Sequence, residues 1–271
     1  MTLNDEIATS FGNVAESYDR VRPGPPAAAM DWLVPADCEV AVDLAAGTGL
    51  FTRALLGRAA RVIAVEPDAR MREVLARRSP EVDVRAGYGE AMPLPDGAAD
   101  AVFVSTAWHW LDLRRAVPEI ARVLRPGGRL GVIWTSRDRA DDWVAELDLL
   151  TLEVIGKPDE AEKPSRTTDE VRAWLDRERE ITLPEGSRFG AGEAASFRFR
   201  RTMPLAAVLE WLATNSAFIT ASAADRAAGL ARCRDAMAGH AVAGTRQNGV
   251  AEGEPVIDMP MRSWCWRAEH R

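Results

Sequence analysis

Asp43 and Glu66 stand at the ends of two apolar runs, and Gly47 and Gly49 lie between them. Asp43 belongs to EVAVDLAAGTGLFTRALL, residues 39–56. There Val40, Val42 and Leu44 alternate as in a strand, and Leu50, Phe51, Ala54 and Leu55 then recur at helical spacing. Strand, glycine turn and helix make half of a nucleotide-binding α/β unit, because glycine lets the main chain approach a ligand closely. Glu66 closes the next apolar run, RVIAVEP, where such a unit usually holds a ribose 2′-hydroxyl. Glu66 points to a nucleoside. The glycine pair alone is a weak signal.

Two cofactor classes use this arrangement. A dinucleotide site asks for G-x-G-x-x-G/A, and Thr52 stands where the third glycine belongs. A carboxylate at Asp43 repels a pyrophosphate and suits a cation. S-adenosylmethionine, with its sulfonium and ammonium groups, is such a cation. A plain turn-capping role for Asp43 is the alternative, and Glu66 serves both cofactor classes.

A second group, Trp108-His109-Trp110, directly follows the continuous apolar run DAVFVSTA. That run reads as a central parallel strand, and an open α/β sheet binds ligands at the C-terminal ends of its strands. An imidazole there could take a proton from a hydroxyl or protonated amine. The two indoles could wall an acceptor. The competing reading is a loop-positioning histidine between two core tryptophans. Asp138, Asp141 and Asp142 read as a solvated helix start rather than a metal site, and no metal is expected. Arg198, Arg200 and Arg201 read as the solvated face of an edge strand.

The elements that position these groups follow from periodicity. Helices are expected over 27–33, after Asp68 with Met71, Val74 and Leu75 inward, and over 113–124 with Ala116, Ile120, Val123 and Leu124 inward. Strands are expected at 61–67, 82–87, 100–107 and 129–135. Alternating strands and helices at this spacing imply a right-handed, doubly wound, mostly parallel sheet. Beyond Thr135 the expected order is a helix over 141–154 burying Trp143, Leu147, Leu150 and Val154, a polar linker, and a helix over 169–179. A strand over 196–201, a helix from Pro204 with Val208, Leu209 and Leu212, a helix over 223–238, a loop over 239–254 and a last strand over 261–269 follow. The expected division is an N-terminal helical lid segment, 1–38, a Rossmann-like core, 39–135, and a region, 136–271, that supplies a helical cap and an antiparallel C-terminal edge.

Composition narrows the classes. The 271 residues are 47% hydrophobic, enough for a sizeable core. The formal charge of −7 is poorly suited to a phosphate backbone, so nucleic acid is not the expected partner. Cys38, Cys233 and Cys265 are scattered, with no C-x-x-C spacing, and read as reduced thiols of a cytoplasmic protein. MTLNDEIATS lacks the apolar segment of a signal peptide, and no run approaches the ~20 residues that span a bilayer, so no membrane association is expected.

Several pieces then coincide. Val42-Asp43-Leu44-Ala45-Ala46-Gly47-Thr48-Gly49, Glu66, Gly87-Tyr88-Gly89-Glu90-Ala91-Met92-Pro93-Leu94-Pro95 and Leu124-Arg125-Pro126-Gly127-Gly128 occur in order. Ahead of them, Phe11, Ala15, Tyr18, Asp19, Arg22 and Pro23 follow F-x-x-x-A-x-x-Y-D-x-x-R-P. Over roughly residues 11 to 135 the chain resembles the class I S-adenosylmethionine-dependent methyltransferases, in the branch of the UbiE-like and trans-aconitate-like enzymes. Ala45 replaces the family's usual first glycine, and Tyr88 stands where an acid usually meets the adenine.

The resemblance implies S-adenosyl-L-methionine as cofactor, with Asp43, Ala45, Gly47, Thr48, Gly49, Glu66, Pro67, Tyr88, Gly89, Glu90 and Thr106 around it, and with Tyr18 and Arg22 closing over the site as candidates for the cofactor carboxylate or the substrate. It implies methyl transfer to the oxygen, nitrogen or carbon of a small acceptor, with His109 as candidate base and Trp108 and Trp110 as candidate acceptor contacts. Ser105-Thr106-Ala107-Trp108 departs from the Asn/Asp-Pro-Pro-Tyr/Phe of methyltransferases that act on nucleic-acid or glutamine amino groups. The expected protein is a monomer or homodimer. The alternatives are an NAD(P)-dependent oxidoreductase and a non-methylating relative, a cyclase or regulatory subunit.

Overall fold

The computed structural model describes residues 14–154, 169, 180–245 and 250–271. Phe11, the expected linker over 156–168 and, Asp169 apart, the expected helix over 169–179 lie outside the described residues. The chain divides into two compact units. The first runs to Thr135 and takes in Ile181–Phe197 and Ser263–Arg271; the second comprises Ser136–Glu180 and Arg198–Arg262.

Helices α1 (Ala15–Val21) and α2 (Ala27–Leu33) precede the first strand, β1 (Val40–Leu44). There follow α3 (Leu50–Leu55), β2 (Arg61–Glu66), α4 (Ala69–Arg78), β3 (Asp83–Ala86), β4 (Ala99–Ser105), α5 (Leu113–Val123) and β5 (Leu124–Arg137). After α6 (Asp142–Glu153) come β6 (Glu193–Pro204), α7 (Leu205–Ala213), α8 (Ser216–Thr220), α9 (Ala223–Ala238), β7 (Ala241–Ala243) and β8 (Pro255–Glu269). The sheet order is β3-β2-β1-β4-β5-β8-β6, with β7 also on β8.

The pairs β2–β3, β1–β2, β1–β4 and β4–β5 are parallel. β8 runs against them. His270 and Gly128 are joined through the main chain, Thr135 and Ser263 through their hydroxyls at 2.8 Å, and Asp138 donates to the Pro260 carbonyl, so the contacts move in opposite directions along β5 and β8. This is the expected Rossmann-like sheet with an antiparallel C-terminal edge.

Alternation along β1 sends side chains to two cores. Val42 and Leu44 join Ile63, Val65, Val102, Val104, Val117, Ile120 and Leu130 on one face. Ala41 joins Leu33, Phe51, Leu55, Val62, Ala64, Leu75 and Phe103 on the other. The second face is packed tightly: Phe51 and Phe103 meet at 5.7 Å between centroids, and a Cβ at Gly131 would lie 2.6 Å from Phe103 Cδ1. Each such aliphatic or aromatic side chain contributes about 1.5–3 kcal/mol on burial. Asp43 has the parity of Ala41, so it faces this second core and α3 rather than the first.

Some boundaries differ from expectation. β5, β6 and β8 extend well beyond the expected spans because neighbouring strands complete their ladders, an influence that local pattern does not carry. The expected loop 239–254 contains β7, for the same reason. In α6 the buried face is Val144, Ala145, Leu147, Asp148 and Thr151, and Trp143, Leu150 and Val154 are half-exposed. The cause is Asp148, drawn inward by the guanidiniums of Arg137 and Arg139, which are themselves buried. Apolar periodicity cannot anticipate a buried ionic cluster. Within the same unit Trp143 stacks on His240 at 4.6 Å between centroids. No helix of the described residues is long and apolar enough to cross a membrane.

Candidate functional site

The loop between β1 and α3 is bent by three left-handed residues, Ala45 at φ 57°, Gly47 at φ 57° and Gly49 at φ 87°. Ala45 carries a Cβ in that region, where strain of about 1–3 kcal/mol is held only if the surroundings enforce it. Three main-chain donors enforce it. Ala46 N–H donates to the Val65 carbonyl at 3.2 Å, Gly49 N–H to the Ala46 carbonyl at 3.0 Å, and Gly47 N–H to Glu66 Oε2 at 2.8 Å. Above Gly47 the space is open, whereas a Cβ on Gly49 would meet Leu75 Cγ at 2.8 Å. α3 has only six residues, so the loop itself forms the cradle.

Glu66 is 6% exposed and also accepts from Asp68 N–H at 2.9 Å. Each of its oxygens keeps a lone pair beyond these bonds. Burial pushes its pKa up; the two backbone donors oppose this but do not cancel it. Pro67, next in the chain, is half-buried, and its carbonyl accepts from Arg72 at 2.7 Å.

Asp43 is fully buried. The Thr52 hydroxyl donates to its Oδ2 at 2.5 Å, and Oδ1 has no hydrogen-bond partner among the described residues. Burial raises its pKa to about 7, with hydrogen bonds from the Thr52 hydroxyl and main chain opposing and the Glu66 charge reinforcing the shift. A buried carboxylate oxygen without a donor is costly unless a ligand supplies one. A cation meets that need. A pyrophosphate would face two acids.

α1 is tied to this cradle. Arg53, on α3, donates to the Thr48 carbonyl at 3.0 Å and to Asp19 Oδ1 at 2.5 Å. Tyr18 and Arg22 are paired with one another: the Arg22 guanidinium lies 4.1 Å from the Tyr18 ring centre and donates to its hydroxyl at 3.2 Å. Arg53 and Thr52 were not among the expected site residues. Only the offset of Thr52 from Asp43 across a tight turn could have signalled its bond, and Arg53 carried no signal.

The remaining expected residues lie at the C-terminal ends of β3 and β4. Tyr88 is 62% exposed. A Cβ on Gly89 would meet Leu111 Cδ2 at 2.7 Å, and Glu90 accepts from Asp112 N–H at 2.9 Å, so this loop is pinned to the segment after the tryptophans. Thr106, β-branched and at φ 58°, turns the chain out of β4 and donates through its N–H to the Ile133 carbonyl at 2.8 Å. A single 3₁₀ turn, Trp108–Trp110, follows. Trp108 is buried in the core, while His109 is exposed and lies 4.5 Å from the half-exposed Trp110 ring. Leu44 pairs with Val104, so Ala45 and the residues after β4 emerge from adjacent strands.

Residues 42–132 match the model of the methyltransferase domain. An uncharacterized methyltransferase of Mycobacterium tuberculosis is 39% identical over 263 residues, covering 97% of this chain and 96% of that one. The chain belongs to the class I S-adenosylmethionine-dependent methyltransferases. A demethylmenaquinone methyltransferase of Paenarthrobacter aurescens is 30% identical over 191 residues, 64% of this chain and 74% of that one. A solved chain from Anaeromyxobacter dehalogenans, assigned as a type II methyltransferase, shares the fold with a TM-score of 0.59 at 24% identity over 92% of this chain and 97% of that one. The methyltransferase is an enzyme whose cofactor is S-adenosyl-L-methionine, and the oxidoreductase alternative falls away. The residues present fit that cofactor, since the donor-free Oδ1 of Asp43 and the open space over Gly47 offer an acceptor for a cation beside an uncovered main chain.

Proposed function

We propose that this methyltransferase methylates a small-molecule acceptor at the mouth of β1 and β4, with His109 as general base. The observation that carries the reading is the exposed His109 imidazole, held against Trp110 in the 3₁₀ turn that follows β4, the strand next to β1. Asp43, the loop Ala45–Gly49 with Thr48, and Glu66 with Pro67 hold the cofactor. Tyr88, Gly89, Glu90 and Thr106 border it, and Tyr18 and Arg22 close over it from α1.

The cofactor supplies an activated methyl group for in-line displacement. The protein's own residues orient the acceptor and exclude water. Trp110 offers its half-exposed face to the acceptor, and Trp108 supports that wall from the core. His109 takes the proton that a hydroxyl or protonated amine must lose as its bond to carbon forms. The formal net charge of −7 favours a low-molecular-weight acceptor over a polyanion. The three buried free thiols suit a reducing, cytoplasmic setting.

The test is transfer of labelled methyl from S-adenosylmethionine to a panel of phenols, quinols, amines and carboxylic acids. With a hydroxyl or amine acceptor, His109→Gln should lower kcat by about 10²–10⁴-fold and remove the acid limb of the pH profile. An unchanged kcat and pH profile would eliminate His109 as the base.

A further inference from the structure

Thr52 is the buried polar residue on α3 that the methyl-transfer reading leaves without a task. Its hydroxyl has one visible role. It occupies Oδ2 of Asp43 at 2.5 Å, while Oδ1, also buried, receives no donor from the described residues. The two oxygens of one carboxylate are thereby made unequal. The ladder neighbours of Asp43 on either side are Ala64 and Phe103, both uncharged, and the loop Ala45–Gly49 is uncharged. Glu66 at the end of β2 is the charged group that acts on it.

The asymmetry favours one place for a proton. As long as Thr52 goes on donating to Oδ2, the proton of a neutral Asp43 lies on Oδ1. An O–H on Oδ1 and an approaching ammonium are both donors and cannot share the oxygen. Proton and cation therefore compete for one position. We propose that Thr52 is a positioning residue that dedicates Oδ2 to itself and leaves Oδ1 as a port filled either by a proton or by the cofactor's cationic end, so that cofactor binding expels a proton. The O–H bond on Oδ1 breaks, the proton passes to solvent, and no electrons change hands. A glycine at position 52, as in the dinucleotide fingerprint, would remove the hydroxyl's bond to Oδ2 and leave only the main-chain support that position 52 gives Asp43. The raised pKa of Asp43, about 7, places this exchange in the neutral range. The inference rests on the reading of Asp43 as the cofactor's cation partner.

Titration calorimetry of the full chain with S-adenosylhomocysteine, which keeps the ammonium, tests it. Heats are compared in phosphate and Tris buffers from pH 5.5 to 8. The wild type should release about half a proton per ligand at pH 7 and fewer at pH 8, and its Kd should rise up to about tenfold per pH unit below 7. Thr52→Val removes the bond that favours the ionised acid, so the break in the Kd profile should move to higher pH. Thr52→Ser should restore it. Comparing variants cancels the ligand's own titration.

Proton-silent binding by the wild type at pH 7, or a Thr52→Val profile superimposable on the wild type's, would overturn the inference and leave the cofactor assignment intact. Asp43→Asn binding with unchanged Kd and pH dependence would overturn the reading of Asp43 itself, and the inference with it.

Discussion

Arg53 grips Asp19 through Nη2 at 2.5 Å while its Nη1 holds the Thr48 carbonyl at 3.0 Å, so one guanidinium joins α1 to the glycine loop. The Asp19 side chain is 8% exposed and that of Arg53 29%, which leaves the pair partly screened. Arg53→Ala should cost about 1 kcal/mol of stability. Its larger effect should fall on cofactor affinity, with Kd for S-adenosylhomocysteine raised about tenfold and faster amide exchange in α1. Arg53→Lys should recover only part of this, since an ammonium lacks the fork that reaches both acceptors. Equal amide protection in wild type and Arg53→Ala would refute the tether.

Glu66 accepts from two main-chain donors, Gly47 and Asp68, one on each oxygen. Glu66→Gln replaces one acceptor with a donor, so one buried N–H must face an amide N–H. The expected cost is about 1–3 kcal/mol in urea unfolding, together with weakened S-adenosylhomocysteine binding. An unfolding free energy equal to the wild type's would show that the loop does not depend on the carboxylate.

The ligand-free protein should lose stability as pH rises through the neutral range. Asp43 and Glu66 have folded-state pKa values raised by burial, so the folded protein binds more protons than the unfolded chain. That contribution is full below their unfolded values, near 4, and for Asp43 is lost as pH climbs through about 7. Asp68, Asp83, Glu119 and Asp148 are held below their ordinary values by hydrogen bonds and arginine charges, against the opposing effect of burial. Their contribution has the opposite sign, present above their unfolded values and lost as pH falls below about 4. The midpoint of thermal unfolding should therefore peak at about pH 4 and decline until the pH passes about 7. Asp43→Asn should flatten the decline; a curve as steep as the wild type's would assign the slope to other groups.

Asp148 carries two buried guanidiniums, those of Arg137 and Arg139. Asp148→Ala strands both cations away from water and should cost about 3–5 kcal/mol. The unfolding midpoint should drop by roughly 10 °C. Asp148→Glu should fare better than alanine. A shift under 2 °C, roughly that of an exposed pair, would mean that water reaches the cluster.

Much of the first unit was legible because its signals are local. Val40–Leu44 and Ala99–Val104 are apolar enough to be central strands, and Gly47 and Gly49 sit where the main chain turns left-handed. Asp68 caps α4 through the N–H groups of Arg70 and Met71, as its position before an amphipathic stretch implied. Past Thr135 the local pattern carries less of the structure. The inward face of α6 and the lengths of β6 and β8 depend on partners far along the chain, and periodicity records only neighbours.

The amino-acid order alone determined the parallel sheet, the glycine turn after β1, and the acids at the ends of β1 and β2, because strand alternation and glycine turns are encoded within a few residues. The tertiary structure decided how those acids are used. It gave Glu66 to Gly47 and Asp68, gave one oxygen of Asp43 to Thr52 and none to the other, and separated a buried Trp108 from an exposed His109. Those outcomes depend on which groups meet at hydrogen-bond distance and which are removed from water. Both are properties of the packed chain, set by contacts between residues that lie apart in sequence.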